Sequence, residues 1–79
     1  MFINKTENGK NNICGKAIFE YRKKHNISQK KLADMLQLAG LDIDKNAIQR
    51  IEAGKRFVTD IEIKFLSDTL DLEYKDLLD

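Results

Sequence analysis

Apolar residues recur along this chain at steps of three and four, and nothing alternates in the manner of a strand. Cys14, Ala17, Ile18 and Tyr21 form a first stripe, which predicts an amphipathic helix ending near His25. His25-Asn26-Ile27-Ser28 breaks it, and Ser28 is suited to cap the next helix because its hydroxyl can accept an orphan backbone N–H. Leu32, Ala33 and Leu36 give that second helix a buried face, from Gln29 to about Leu36. Gln37 to Asp44 reads as a loop, turned at Gly40 and anchored by Leu41 and Ile43. Asp44 is placed to cap a third helix, Lys45 to about Ala53, and Gly54 suits the left-handed residue that follows a helix end. Thr59 and Glu62 have the spacing of a capping box, opening a fourth helix that carries Ile63, Leu66 and Leu70 inward. Leu72 and Tyr74-Lys75-Asp76-Leu77-Leu78 predict a short fifth helix. The expected fold class is all-α.

Residues 1–12 are polar and rich in Asn, Lys and Gly, and are expected to form a flexible N-terminal arm with Phe2 and Ile3 as candidate anchors. Residues 13–79 are expected to form one small domain. A chain of 79 residues buries only about 60% of its unfolded surface, so its stability is expected to be modest.

Composition changes this picture little, with 42% hydrophobic and 34% charged residues, but the order of the charges changes it considerably. Net charge is only +1. From Lys5 to Arg56, twelve Lys/Arg face six Asp/Glu, a balance of +6; from Phe57 to Asp79, two face seven, a balance of −5. An asymmetry of this kind points to a polyanionic partner. The opening residues have no apolar stretch of signal-peptide length, no run is long enough for a membrane span, and one cysteine forms no internal disulfide; a cytoplasmic location is expected.

The stretch "NAIQRIEAGKR", residues 46–56, concentrates the candidate chemistry. Ala47, Ile48 and Ile51 share one helical face, while Asn46, Gln49 and Arg50 point the other way. Arg50 can offer two donors to guanine O6 and N7, and Asn46 or Gln49 can pair with adenine N6 and N7, each good bidentate pair discriminating by about 1–3 kcal/mol. Lys45 in the first turn opposes the helix dipole, which favours acids there, and makes more sense beside a polyanion. The competing reading is a polar face that meets only water.

These residues, together with "YRKKHNISQKKLADML" before them and "DLEYKDLL" after, resemble the Cro/repressor-type (XRE-like) helix-turn-helix family of bacterial and phage transcriptional regulators. The resemblance covers about residues 13–78. It implies a five-helix lambda-repressor-like DNA-binding domain in which the third helix lies in the major groove. By that resemblance Lys45, Asn46, Gln49 and Arg50 contact bases. Gln29 grips a phosphate with Lys30 beside it, and Lys55 and Arg56 approach the backbone. Arg22 and Glu52 form a buried structural ion pair. The chain departs from the family in the turn, because the eleven residues between Leu36 and Ile48 exceed the usual number. Lys31 also stands where the family commonly has Glu, which loses a capping box and adds positive charge.

Enzyme chemistry finds little support. His25 is the only histidine and Cys14 the only cysteine, too few for a four-ligand zinc site, and no phosphate-cradling glycine loop is present. No metal, cofactor or small-molecule substrate is expected. The expected partner is double-stranded DNA carrying a near-palindromic operator, bound by a homodimer acting as a repressor. The alternative is a protein-interaction module, antitoxin- or anti-repressor-like, on the same fold.

Overall fold

The computed structural model describes residues 5–79; Phe2 and Ile3, the candidate anchors, lie outside the described residues. Five helices follow in order: α1 (Gly15–Lys24), α2 (Gln29–Ala39), α3 (Lys45–Glu52), α4 (Asp60–Leu70) and α5 (Tyr74–Leu78). No strand occurs among the described residues.

The starts of α2 to α5 have local causes. Ser28 Oγ accepts the Lys31 N–H at 2.9 Å and starts α2. Asp44 Oδ1 accepts the Ala47 N–H at 2.8 Å and starts α3. Thr59 and Glu62 close the expected capping box, with Thr59 N–H donating to Glu62 Oε1 (2.9 Å) and Glu62 N–H to Thr59 Oγ1 (3.2 Å). At the start of α5, Glu73 N–H donates to Asp76 Oδ2 at 3.0 Å.

Ile18, Leu32, Leu36, Ile48, Ile51, Leu66 and Leu77 are almost fully withdrawn from solvent, so all five helices supply the core. Burying one such side chain stabilises by about 1.5–3 kcal/mol. Helix α3 packs against α1 and α2, which leaves its remaining side outward.

The extended turn is shorter than expected, because α2 runs one turn further, through Ala39. Gly40, at φ 110°, ends the helix, and the irregular segment is reduced to residues 40–44. Two hydrogen bonds hold it: Leu41 N–H to the Leu36 carbonyl (2.9 Å) and Gln37 Nε2 to the Ile43 carbonyl (2.7 Å). With Ile43 buried in the core, this segment positions Asp44 and hence the start of α3.

The N-terminus of α1 approaches the C-terminal end of α3 closely. A Cβ at Gly15 would overlap the Ile51 carbonyl oxygen, so only glycine permits this contact. Gly54, just past α3, adopts φ 76° and is buried.

Candidate nucleic-acid interface

The outward surface of α3 follows from its periodicity. At 100° per residue, Lys45, Asn46, Gln49 and Arg50 span about 140° of the helix, with Ala47, Ile48 and Ile51 centred on the opposite side. Ile48 and Ile51 are buried and Ala47 is half-buried, which fixes the rotation of the helix about its axis. All four polar residues are exposed, and none takes part in an ion pair among the described residues. Among the described residues the helix thus presents two amides, an ammonium and a guanidinium with their hydrogen-bonding capacity free.

Behind that surface is a buried polar cluster. Arg22 Nε donates to Glu52 Oε2 at 2.7 Å and Arg22 Nη2 to Glu52 Oε1 at 2.9 Å, a two-pronged pair whose side chains are 9% and 5% exposed. Arg22 Nη1 donates to the Ile27 carbonyl at 3.1 Å, so one guanidinium joins α1, the turn before α2, and α3. The Glu52 bond holds Arg22 above its ordinary pKa. Gln29 Nε2 donates to Glu52 Oε1 at 3.1 Å. That bond takes one of its two amide protons and leaves the other, with the amide oxygen, available to a partner at the start of α2.

The remaining sites of expected phosphate contact divide. Lys55 is exposed and in no ion pair among the described residues, and its N–H donates to the Arg50 carbonyl at 2.9 Å. Lys30 reaches Asp34 at 3.2 Å, one turn along α2, with both side chains largely exposed; such pairs contribute only about 0.3–0.5 kcal/mol and leave the ammonium accessible. Arg56 differs from expectation. It is bound bidentately by Glu62, at 3.1 and 2.8 Å, and donates to its neighbouring Phe57 carbonyl at 3.3 Å. Burial pushes the Glu62 carboxyl up, but the Arg56 guanidinium and the Thr59 amide and hydroxyl outweigh it and hold it below its usual range. The same Glu62 bond raises Arg56. This arginine locks the loop between α3 and α4 rather than standing free in it.

Sequence reasoning missed two asparagines. Asn12 Nδ2 donates to the carbonyls of Ile51 (3.1 Å) and Arg56 (2.8 Å), while its Oδ1 accepts the Gly15 N–H (2.9 Å). Asn11 donates through its backbone N–H to the Gly54 carbonyl (2.8 Å) and through Nδ2 to the Lys55 carbonyl (2.9 Å). The end of the segment expected as an arm therefore clasps the end of α3 and the Lys55 loop. The only local signal was two amides ahead of a helix, and apart from Gly15 their partners lie some forty residues away.

The other reactive side chains sit elsewhere. His25 stacks on Tyr21, ring centroids 4.0 Å apart, and Cys14 is buried in the core with its thiol pushed up to about 11 by desolvation. Among the described residues no group of three or more potential ligands could hold a metal ion, and no helix is long and apolar enough to cross a membrane.

The helix-turn-helix model HTH_3 matches residues 18–77, three-quarters of the chain. The chain belongs to this helix-turn-helix family. Its all-α, five-helix architecture is the lambda-repressor-like fold of XRE-type members. Among solved structures, the restriction-modification controller protein C.AhdI from Aeromonas hydrophila is similar, with a TM-score of 0.69 and 28% identity, covering 81% of this chain and 89% of that one. No curated protein matches. In helix-turn-helix terms α2 and α3 are the motif's two helices, joined here by the 40–44 segment.

Proposed function

We propose that this protein is a sequence-specific double-stranded DNA-binding transcriptional regulator that inserts α3 into the major groove. Family membership and the likeness to a controller protein support a DNA-binding transcriptional regulator. The observation that carries the finer reading is the α3 surface. Lys45, Asn46, Gln49 and Arg50 are exposed and outside every ion pair of the described residues, while the opposite side is sealed into the core. These are the side-chain types that distinguish base edges in the major groove. Gln29, Lys30 and Lys55 flank them as phosphate contacts that set register, and Arg56 supports Lys55 by holding its loop.

The protein acts as a homodimer on a near-palindromic operator, with half-sites about one helical turn, roughly 34–36 Å, apart. Exposed Tyr74 and Leu78 on the acidic C-terminal side offer an apolar surface for the second copy. Occupancy of the operator represses transcription, in the cytoplasm of a bacterial host.

Gln49→Ala and Arg50→Ala, introduced together, test the reading. Both side chains are exposed, so the fold survives, while preference for the operator over random duplex falls by at least tenfold. Unchanged preference would refute the α3 assignment, and retention of a protein partner without any DNA binding would favour the interaction-module alternative.

A further inference from the structure

The segment ahead of α1 brings a third basic residue to the loop that follows α3. Residues 6–10 close on themselves: Thr6 N–H donates to the Lys10 carbonyl (2.8 Å), Lys10 N–H to Thr6 Oγ1 (3.0 Å), and Gly9 N–H to the Thr6 carbonyl (2.9 Å). Asn11 then ties this turn to the carbonyls of Gly54 and Lys55. Between the two, the Lys10 stem lies flat on Gly54. A Cβ added at Gly54 would stand 2.7–2.9 Å from Lys10 Cδ, Cγ and Cβ, closer than side-chain carbons tolerate. Lys10 is nonetheless exposed and joins no ion pair among the described residues.

We propose that Lys10 is a phosphate-contacting residue, its ammonium and that of Lys55 forming a paired clamp on the DNA backbone beside the C-terminal end of α3. The proposal rests on the DNA-binding reading above and extends its surface to a segment outside the matched motif. Two features favour a contact over a solvated lysine. The stem is held against Gly54, so less side-chain freedom remains to be lost when the ammonium engages. The backbone beneath it is bonded to the Lys55 loop, so the two ammonium groups share one anchored platform. A Cβ at position 54 would displace Lys10 in addition to straining the positive φ.

The test is the salt dependence of binding to a mixed-sequence DNA duplex, which needs no knowledge of the operator. Lys10→Gln and Lys10→Met keep a stem over Gly54 and remove the charge, Lys10→Arg restores it, and Lys64→Gln removes an α4 lysine that faces Asp68. Each phosphate contact contributes about 0.9 to the slope of log K against log salt concentration. Lys10→Gln and Lys10→Met are expected to lower the slope by about that much, with Lys10→Arg and Lys64→Gln matching the parent. A parent that binds with an unchanged slope in both neutral variants would overturn the proposal alone, as would an equal drop in Lys64→Gln. A parent with no salt-dependent DNA binding would overturn the DNA-binding reading as well.

Discussion

Replacing Glu52 by alanine removes the acceptor at the centre of the buried cluster and strands three donors. Arg22 loses two of its three hydrogen bonds and Gln29 loses its contact, while the guanidinium stays beneath the surface with only the Ile27 carbonyl as partner. Breaking a buried pair in this way costs about 3–5 kcal/mol, much of it the penalty of an uncompensated charge. A 79-residue domain has roughly 4–12 kcal/mol of total stability, so the substitution removes a large share of it. With about 4–8 °C lost per kcal/mol for a domain of this size, the melting midpoint is expected to fall by at least roughly 12 °C. Circular dichroism of thermal and urea unfolding reads this directly. Arg22→Met combined with Glu52→Leu is the informative partner, because replacing both charges with apolar groups of similar size is expected to recover most of the loss. A fall of less than about 1 kcal/mol in Glu52→Ala would show a pair no stronger than a surface salt bridge and refute the argument.

Three further outcomes follow from the same structure. Asn12→Ala leaves the Arg56 carbonyl and the Gly15 N–H without a partner, while the Ile51 carbonyl keeps the Gly54 N–H, and is expected to destabilise by about 1–3 kcal/mol in urea titration. The Glu62 carboxyl lies below its unfolded value, so its contribution is present above the usual carboxylate range and is lost as pH falls through its lowered folded value. Glu62→Gln is expected to flatten the acid limb of a stability–pH profile, and an unchanged limb would contradict the pairing with Arg56. The Cys14 thiol has the opposite sign: folded at about 11 against an ordinary 9.0, it favours the folded state below pH 9, an advantage lost as pH rises through 11. Alkylation at neutral pH is therefore expected only after addition of denaturant.

The helical periodicity and caps were legible because their causes are local. Ser28, Asp44 and the Thr59–Glu62 pair act within three residues, and each made the bond expected of it. The length of α2 was not, because Leu38 is 91% exposed and gives no inward stripe to follow past Leu36. What extends the helix there is closure by Gln37 and Leu41, which pattern reading does not weigh. The outward row of α3 could be read from spacing, and so could the Arg22–Glu52 pair through its family resemblance. The pairing of Arg56 could not be read from the sequence, because one carboxylate does two things: Glu62 caps α4 and also captures the guanidinium. Asn11, Asn12 and the Lys10 stem escaped pattern reading because, apart from the Gly15 N–H, their partners lie across the fold.

Whether the polar side of α3 reads base sequence is decided by selection of bound duplexes from a random DNA pool at near-physiological salt. An enriched two-fold-symmetric motif is expected, with half-site centres about 10–10.5 base pairs or a multiple apart, and it is lost when Gln49 and Arg50 are both alanine. Salt-sensitive retention of DNA without any enriched motif would contradict it, leaving a protein that grips phosphates but reads no bases.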